Sequence, residues 1–170
     1  SVEKKTATLK NNFTGDNATL KSKNLFDESF NSIQMQGCFI IGKQIGFPSI
    51  PVKSVKILLP PAVKVKDVTA TGYTVDVDSG RADLKNNPIT PYQQPLPFGE
   101  MKTGGLDFNN AIYESNRAYP AKLIENNGVD DCRGYSILTL NLYPTSYIPK
   151  QGILKYYPHI TVEIEVSNTG

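Results

Sequence analysis

The 170-residue chain has no tryptophan, one histidine, two cysteines and two methionines. These scarcities narrow the chemistry open to it. His159 has no Cys or carboxylate at metal-ligand spacing, and it reads as an exposed residue at the start of a strand. A thiolate–imidazole nucleophile would need Cys38 or Cys132 to reach His159 at an exposed site with an oxyanion hole. Cys38 opens the apolar run 38–41, which argues for burial. Cys132 follows Asp130 and Asp131, whose negative charge would raise a thiol pKa. The chain therefore reads as lacking a catalytic constellation. Asp76, Asp78 and Asp83 lie near one another, but not at the spacing of a calcium loop, so neither a metal nor a cofactor is expected. No glycine-rich phosphate loop or nucleotide fingerprint is present.

Other absences bound the surroundings. No apolar run approaches the ~20 residues of a membrane helix, so membrane insertion is not expected. A net charge of +2 is too small to argue for nucleic acid. No signal peptide is visible. A chain opening at Ser1 is compatible with a targeting segment removed earlier. Without tryptophan, the nine tyrosines are a weak case for a sugar- or base-stacking platform, and strand packing accounts for most of them. Cys38 and Cys132 could form one disulfide closing a long loop in a secreted protein. Two separate buried thiols are the alternative. Two N-glycosylation sequons, at 12–14 and 17–19, matter only if the chain is exported by a glycosylating host.

What the chain does have is period-2 alternation. Ile160, Val162, Ile164 and Val166 share one face of a strand pattern, with His159, Thr161, Glu163 and Glu165 on the other. Leu138, Leu140 and Leu142 repeat the pattern against Ile137, Thr139 and Asn141. Successive strand side chains point to opposite faces, so each run has one dry face and one wet face. The two runs are expected to pair antiparallel through the turn chemistry of 143–152. Ile33 and Met35 alternate with glutamines, and Gly37 could mark a bulge. Val55, Ile57 and Leu59 give a further strand, as do Val63 and Val65. Tyr73, Val75 and Val77 give another, with a turn expected near Thr71–Gly72 and the Lys and Asp faces opposed across it. Two prolines fix 46–51 as extended. Thr6–Leu9 and Ala18–Leu20 could be edge strands. Only 107–117 could hold a short helix. With 39% hydrophobic and 20% charged residues, this is a globular single domain over 1–170. Its fold class is all-β, an antiparallel two-sheet β-sandwich. Residues 1–20 are expected to be a loosely ordered N-terminal segment.

Residues 79–118 break the pattern. Prolines 88, 91, 95 and 97 and glycines 80, 99, 104 and 105 leave few alternating pairs. A loop this long in a compact domain is uncommon and tends to be functional. Arg81, Lys85 and Lys102 are its cations before Arg117.

A resemblance runs through the same landmarks. Gly46-Phe47-Pro48-Ser49-Ile50-Pro51, Tyr119-Pro120, Arg133-Gly134, the segment 143–149, Leu154, Tyr156 and Ile160-Thr161-Val162 follow in order and spacing. Together they resemble the propeptides of gingipain-type (clan CD, family C25) cysteine peptidases, over roughly residues 20 to 168. Where that family has Tyr-Asn-Pro, this chain has Tyr147-Ile148-Pro149. The resemblance implies a jelly-roll-like sandwich and a secreted or cell-surface location. It implies a cysteine peptidase catalytic domain as partner, for which the prodomain acts as folding aid and latency inhibitor. It also implies a basic loop residue in the peptidase specificity pocket. Arg81 matches best, Lys85 follows closely and Lys102 is the third candidate. Activation would then need a cut near or beyond Gly170. The alternative from a different class is a carbohydrate-binding or adhesive β-sandwich of a surface protein.

Overall fold

A computed structural model describes residues 5–12, 18–26, 28–40, 44–77 and 83–168. Two antiparallel sheets carry the core. In the first, β12 (His159–Asn168) lies between β1 (Lys5–Asn12) and β6 (Val63–Gly72). The second runs in the order β4 (Phe39–Ile40), β5 (Pro51–Leu58), β9 (Tyr135–Leu142) and β8 (Ile124–Cys132). A hairpin of β2 (Ala18–Leu25) and β3 (Glu28–Met35) stands beside them. So does a small sheet of β10 (Thr145–Ile148), β11 (Ile153–Tyr156) and β7 (Val75–Asp76).

The dry faces predicted from alternation are the dry faces of the fold. Leu138, Leu140 and Leu142 of β9 are fully buried, and so are Ile160 and Val162 of β12. Cross-strand neighbours extend both faces. Val55 and Ile57 of β5 stand opposite Leu140 and Leu138. Ala70 and Val68 of β6 stand opposite Val162 and Ile164. All join one hydrophobic core with Ile33 and Met35 of β3. The expected pairing of β9 with β12 is not formed. The two strands belong to different sheets and meet through their side chains. Alternation fixes which face is dry, not which backbone lies alongside. The turn-rich stretch between them folds as its own hairpin, β10 with β11.

Two further expectations change. β6 continues through Thr71–Gly72 to pair with Ile160 and Thr161, so no turn forms there. Its inward residues are Val63, Val65, Val68 and Ala70, with a phase break after Val65. A bulge opposite Glu165/Val166 absorbs the extra residue and returns Val68 to the core face. β7 pairs with β11 rather than β6, so the Lys and Asp faces do not oppose. Asp76 instead meets Lys155 at 3.7 Å in an exposed pair, worth at most about 1 kcal/mol. Gly37 sits with φ 73° in the turn after β3 rather than in a bulge. The short helix is α1 (Asn110–Tyr113), capped by the Asn109 side chain.

Tyrosines seal one end of the core. Tyr147 is fully buried and exchanges two backbone hydrogen bonds with Tyr119, of 2.7 and 2.8 Å. Its hydroxyl donates to the Leu84 carbonyl at 3.3 Å. Tyr113 donates to the Ile89 carbonyl at 2.6 Å. Burial raises the pKa of Tyr113, Tyr119, Tyr143 and Tyr147, the last to about 12 although a backbone hydrogen bond pulls it down.

Two predictions follow from this packing. Leu140→Ala removes a fully buried side chain and is expected to destabilise the domain by about 2–5 kcal/mol, read from denaturant midpoints. The buried tyrosines give a sign in alkali. An unfolded tyrosine ionises near pH ~10 while the folded ones stay protonated, so the unfolded state loses protons first. Stability is expected to fall as pH rises from about 10 toward the folded Tyr147 value of about 12. Tyr147→Phe should flatten that fall, and a midpoint independent of pH between 9 and 11 would refute the account.

Candidate functional site

The long segment is organised by backbone contacts rather than by strands of its own. At its start, Asn31 of β3 anchors it. The Asn31 amide donates to Pro88 O at 2.9 Å, and its carbonyl accepts from Thr90 at 2.8 Å. The buried Asn31 side chain donates to Asn87 O at 2.6 Å. Further on, the segment 44–51, a turn at 44–47 followed by an extended stretch, runs between 90–92 and 107–109. Ser49 donates to Thr90 O at 2.9 Å, Gly46 to Tyr92 O at 2.7 Å, and Asn109 to Gly46 O at 3.0 Å. Gly46 has φ 82°, and a Cβ there would stand 2.8 Å from the Asn109 nitrogen. Only glycine lets the three backbones close up at this point.

That closure brings Gln93 beside Asp107. The Gln93 amide donates to Asp107 O at 2.9 Å, and its oxygen accepts from the Asp107 amide at 2.9 Å. Residues 94–106 therefore form a loop whose two ends are fastened together, an Ω-type arrangement. The Lys102 ammonium closes the clasp by bonding both the Asp107 carboxylate and the Gln93 amide oxygen. The Lys102 side chain keeps 25% of its exposure and the Asp107 side chain 61%. Beyond the clasp the loop carries uncovered apolar residues. Phe98 is 110% exposed, Met101 89% and Leu96 44%.

The other candidates fall elsewhere. Arg81 lies outside the described residues. Lys85 is exposed on a compact turn between Asp83 and Asn87. The Asp83 carboxylate accepts from the Asn86 amide at 3.1 Å and the Lys85 amide at 3.2 Å. The Asn86 bonds, with a smaller share from Lys85, hold the Asp83 carboxyl below the usual range. Leu84 plugs the turn into the core at 1% exposure. Gly152 packs beneath it, where a Cβ would come within 2.6 Å of the Lys85 nitrogen. The Lys85 backbone is thus held against the body while its side chain stays exposed, whereas Lys102 is half-buried at the base of a projecting loop.

Cys38 and Cys132 are both free thiols. Cys38 precedes β4 and Cys132 ends β8, at opposite edges of the four-stranded sheet. Three strand spacings of about 4.8 Å separate those edges, well beyond the about 7 Å that a disulfide tolerates between Cα atoms. The disulfide is therefore not compatible with this sheet order. Burial pushes the Cys38 thiol up, partly offset by Lys53. His159 lies exposed at the start of β12 with its ring beside Tyr73, 6.0 Å between centroids. Among the described residues, no three His, Cys, Asp or Glu side chains gather as a metal site. A separate open groove of about 770 Å³ is lined by Phe47, Tyr119, Leu123, Ile124 and Tyr143.

The sequence singled out Lys102 but not its partners Gln93 and Asp107, nor the apolar tip. The available signal was composition. Leu96, Phe98 and Met101 fit no strand or helix period, so they have no core face to join.

Comparisons with known proteins set this geometry in context. The sequence matches the family model Propeptide_C25 over residues 2–170. No curated protein matches it significantly. Two solved structures share the fold. One is from work on the zymogenic latency of gingipain K from Porphyromonas gingivalis, with TM-score 0.71 and 20% identity over 96% of this chain and 88% of that one. The other is a complex of the pro- and mature domains of RgpB from Porphyromonas gingivalis, with TM-score 0.69 and 17% identity over 100% of this chain and 83% of that one.

The clasp yields a prediction of its own. Asp107→Ala frees one end of it and is expected to speed limited proteolysis within 94–106 several-fold. Because the pair is exposed, global stability should change by no more than about 1 kcal/mol. Unchanged cleavage would show that the clasp does not fix the loop.

Proposed function

Since this chain belongs to the Propeptide_C25 family over residues 2–170, we propose that it binds a gingipain-type cysteine peptidase domain, assists its folding and keeps it latent. Family membership is the observation that carries this reading. The zymogenic latency studied in gingipain K and the pro–mature complex of RgpB are in keeping with it. The domain is accordingly a secreted or cell-surface regulator of a peptidase and not itself the catalyst.

The finer reading is insertion of a basic side chain into an acidic specificity pocket. A peptidase that cuts after Arg or Lys carries such a pocket, and a cation seated there forms charge-assisted hydrogen bonds out of water. The candidates for the cation are Lys85 on its turn, Lys102 on the projecting loop, and Arg81, which lies outside the described residues. The projecting loop supports Lys102. Its ammonium already pairs with a carboxylate, and the Asp107 side of that pair is exposed to water. Exchanging a pair worth at most about 1 kcal/mol for a desolvated one favours docking.

The test is an inhibition titration of the purified chain against a C25 peptidase domain. Lys102→Ala is expected to raise Ki at least about thirtyfold, the loss typical of truncating a buried charge pair. Arg81→Ala and Lys85→Ala should stay near wild type. A large loss at either of those positions would move the anchor to their loop. No loss at any of the three would overturn insertion, and no inhibition by the wild-type chain would overturn latency itself.

A further inference from the structure

Resting on the latency reading, we propose that Leu96, Phe98 and Met101 form a second, apolar anchor that seats on a hydrophobic depression of the same peptidase domain, next to where Lys102 docks. Several large apolar side chains are exposed elsewhere, such as Leu58, Tyr73 and Tyr135, at 61%, 59% and 61%. Those are scattered over strand ends and turns, and scattered exposure needs no explanation. The loop tip differs. Its three apolar residues fall within six positions and include the two most exposed large hydrophobics among the described residues, Phe98 and Met101.

The tip is also held in shape. Pro95 and Pro97 restrict the backbone, and the Glu100 amide closes a turn on the Pro97 carbonyl at 3.1 Å. The paired hydrogen bonds between the Gln93 side chain and the Asp107 backbone fasten the base, and they do not depend on where the Lys102 ammonium sits. A loop fixed before docking loses little conformational entropy on docking, so the apolar contact is returned as affinity. Phe and Met are enriched where interfaces bury their centres, and charged residues are depleted there. Within 94–101 the only charged residue is Glu100. The occupant is named by continuity. Met101 is the immediate neighbour of Lys102, so a surface that takes the cation must also meet the tip.

The experiment measures the affinity of the purified chain for a C25 peptidase domain whose catalytic cysteine has been replaced, so that neither partner is cleaved. Phe98→Ser/Met101→Ser is expected to weaken Kd about a hundredfold, roughly tenfold for each buried side chain. Leu58→Ser, at an apolar residue outside the loop, should leave Kd within about threefold. Since Phe98 and Met101 are exposed, the double variant should keep the wild-type thermal midpoint, and hydrogen exchange over 96–101 should slow on binding. Wild-type binding with an unchanged double variant overturns this inference and leaves latency standing. A wild-type chain that does not bind the domain overturns both. Self-association abolished by the double variant, with peptidase affinity intact, would assign the tip to a second copy and overturn the proposal. Vesicle binding with the same pattern would assign it to a lipid surface, with the same consequence.

Discussion

Everything in this fold hangs on two dry strand faces that share one core through their side chains. β9 offers three leucines with no exposure, and β12 offers an Ile/Val row buried along its whole inner side. Neither strand hydrogen-bonds to the other. Each is central in its own sheet, so each has backbone partners on both sides and is free to commit one face to the core. Burial of that kind is non-directional and sums over area, which makes it robust to individual changes at the periphery. The β6 bulge shows the strength of the constraint. The strand gives up one regular ladder position, and the phase of Val68 and Ala70 is kept inward.

The long segment obeys a different rule. It has almost no apolar face and no ladder, yet its backbone amides and carbonyls still need partners where water is excluded. A few side chains provide them. Buried Asn31 serves 87–90, Gln93 bridges 91–93 to 107, and Tyr113 caps the Ile89 carbonyl. Such contacts are specific in a way the core is not. Replacing a leucine by isoleucine in a core is tolerated, but an amide that satisfies several backbone groups has few substitutes. The segment is therefore irregular without being loose at its anchor points.

This division explains what was legible in the sequence. The dry faces of β3, β9 and β12 were readable because a period of 2 is written in the residues themselves. The extended course of 48–51 was readable from its prolines, whereas 46–47 belong to a turn, and the helix at 110–113 falls inside the stretch 107–117 whose apolar spacing allowed one. Strand partners were not readable, because period 2 says nothing about which neighbour supplies the ladder. That is why β9 and β12 were expected side by side and why β7 was assigned to β6. The bulge in β6 broke the alternation after Val65, so the strand's continuation to Gly72 was not readable. At the candidate site, the cations could be named from composition. How the chain around Lys85 and Lys102 is fastened could not be read, because it depends on contacts that no local period writes. The Lys85 backbone is fixed by Leu84 and Gly152 beneath it, and Lys102 by Gln93, nine residues away on one side, and Asp107, five on the other.

On the proposed reading, assisting folding and restraining a partner place opposing demands on the domain, and the architecture separates them. Assisting folding requires that the domain be stable before its partner is. The core meets this demand alone, since none of its buried residues belongs to 94–106. Restraint requires a contact strong enough to hold yet confined enough to be removed. The projecting loop can meet that demand because its apolar tip and its cation contribute little to the free domain's stability. The Asp107 end of the clasp is exposed, and the tip touches water. Changes in the loop can thus tune affinity for a partner while the sandwich keeps its own stability, a partition that follows from burial rather than from sequence position.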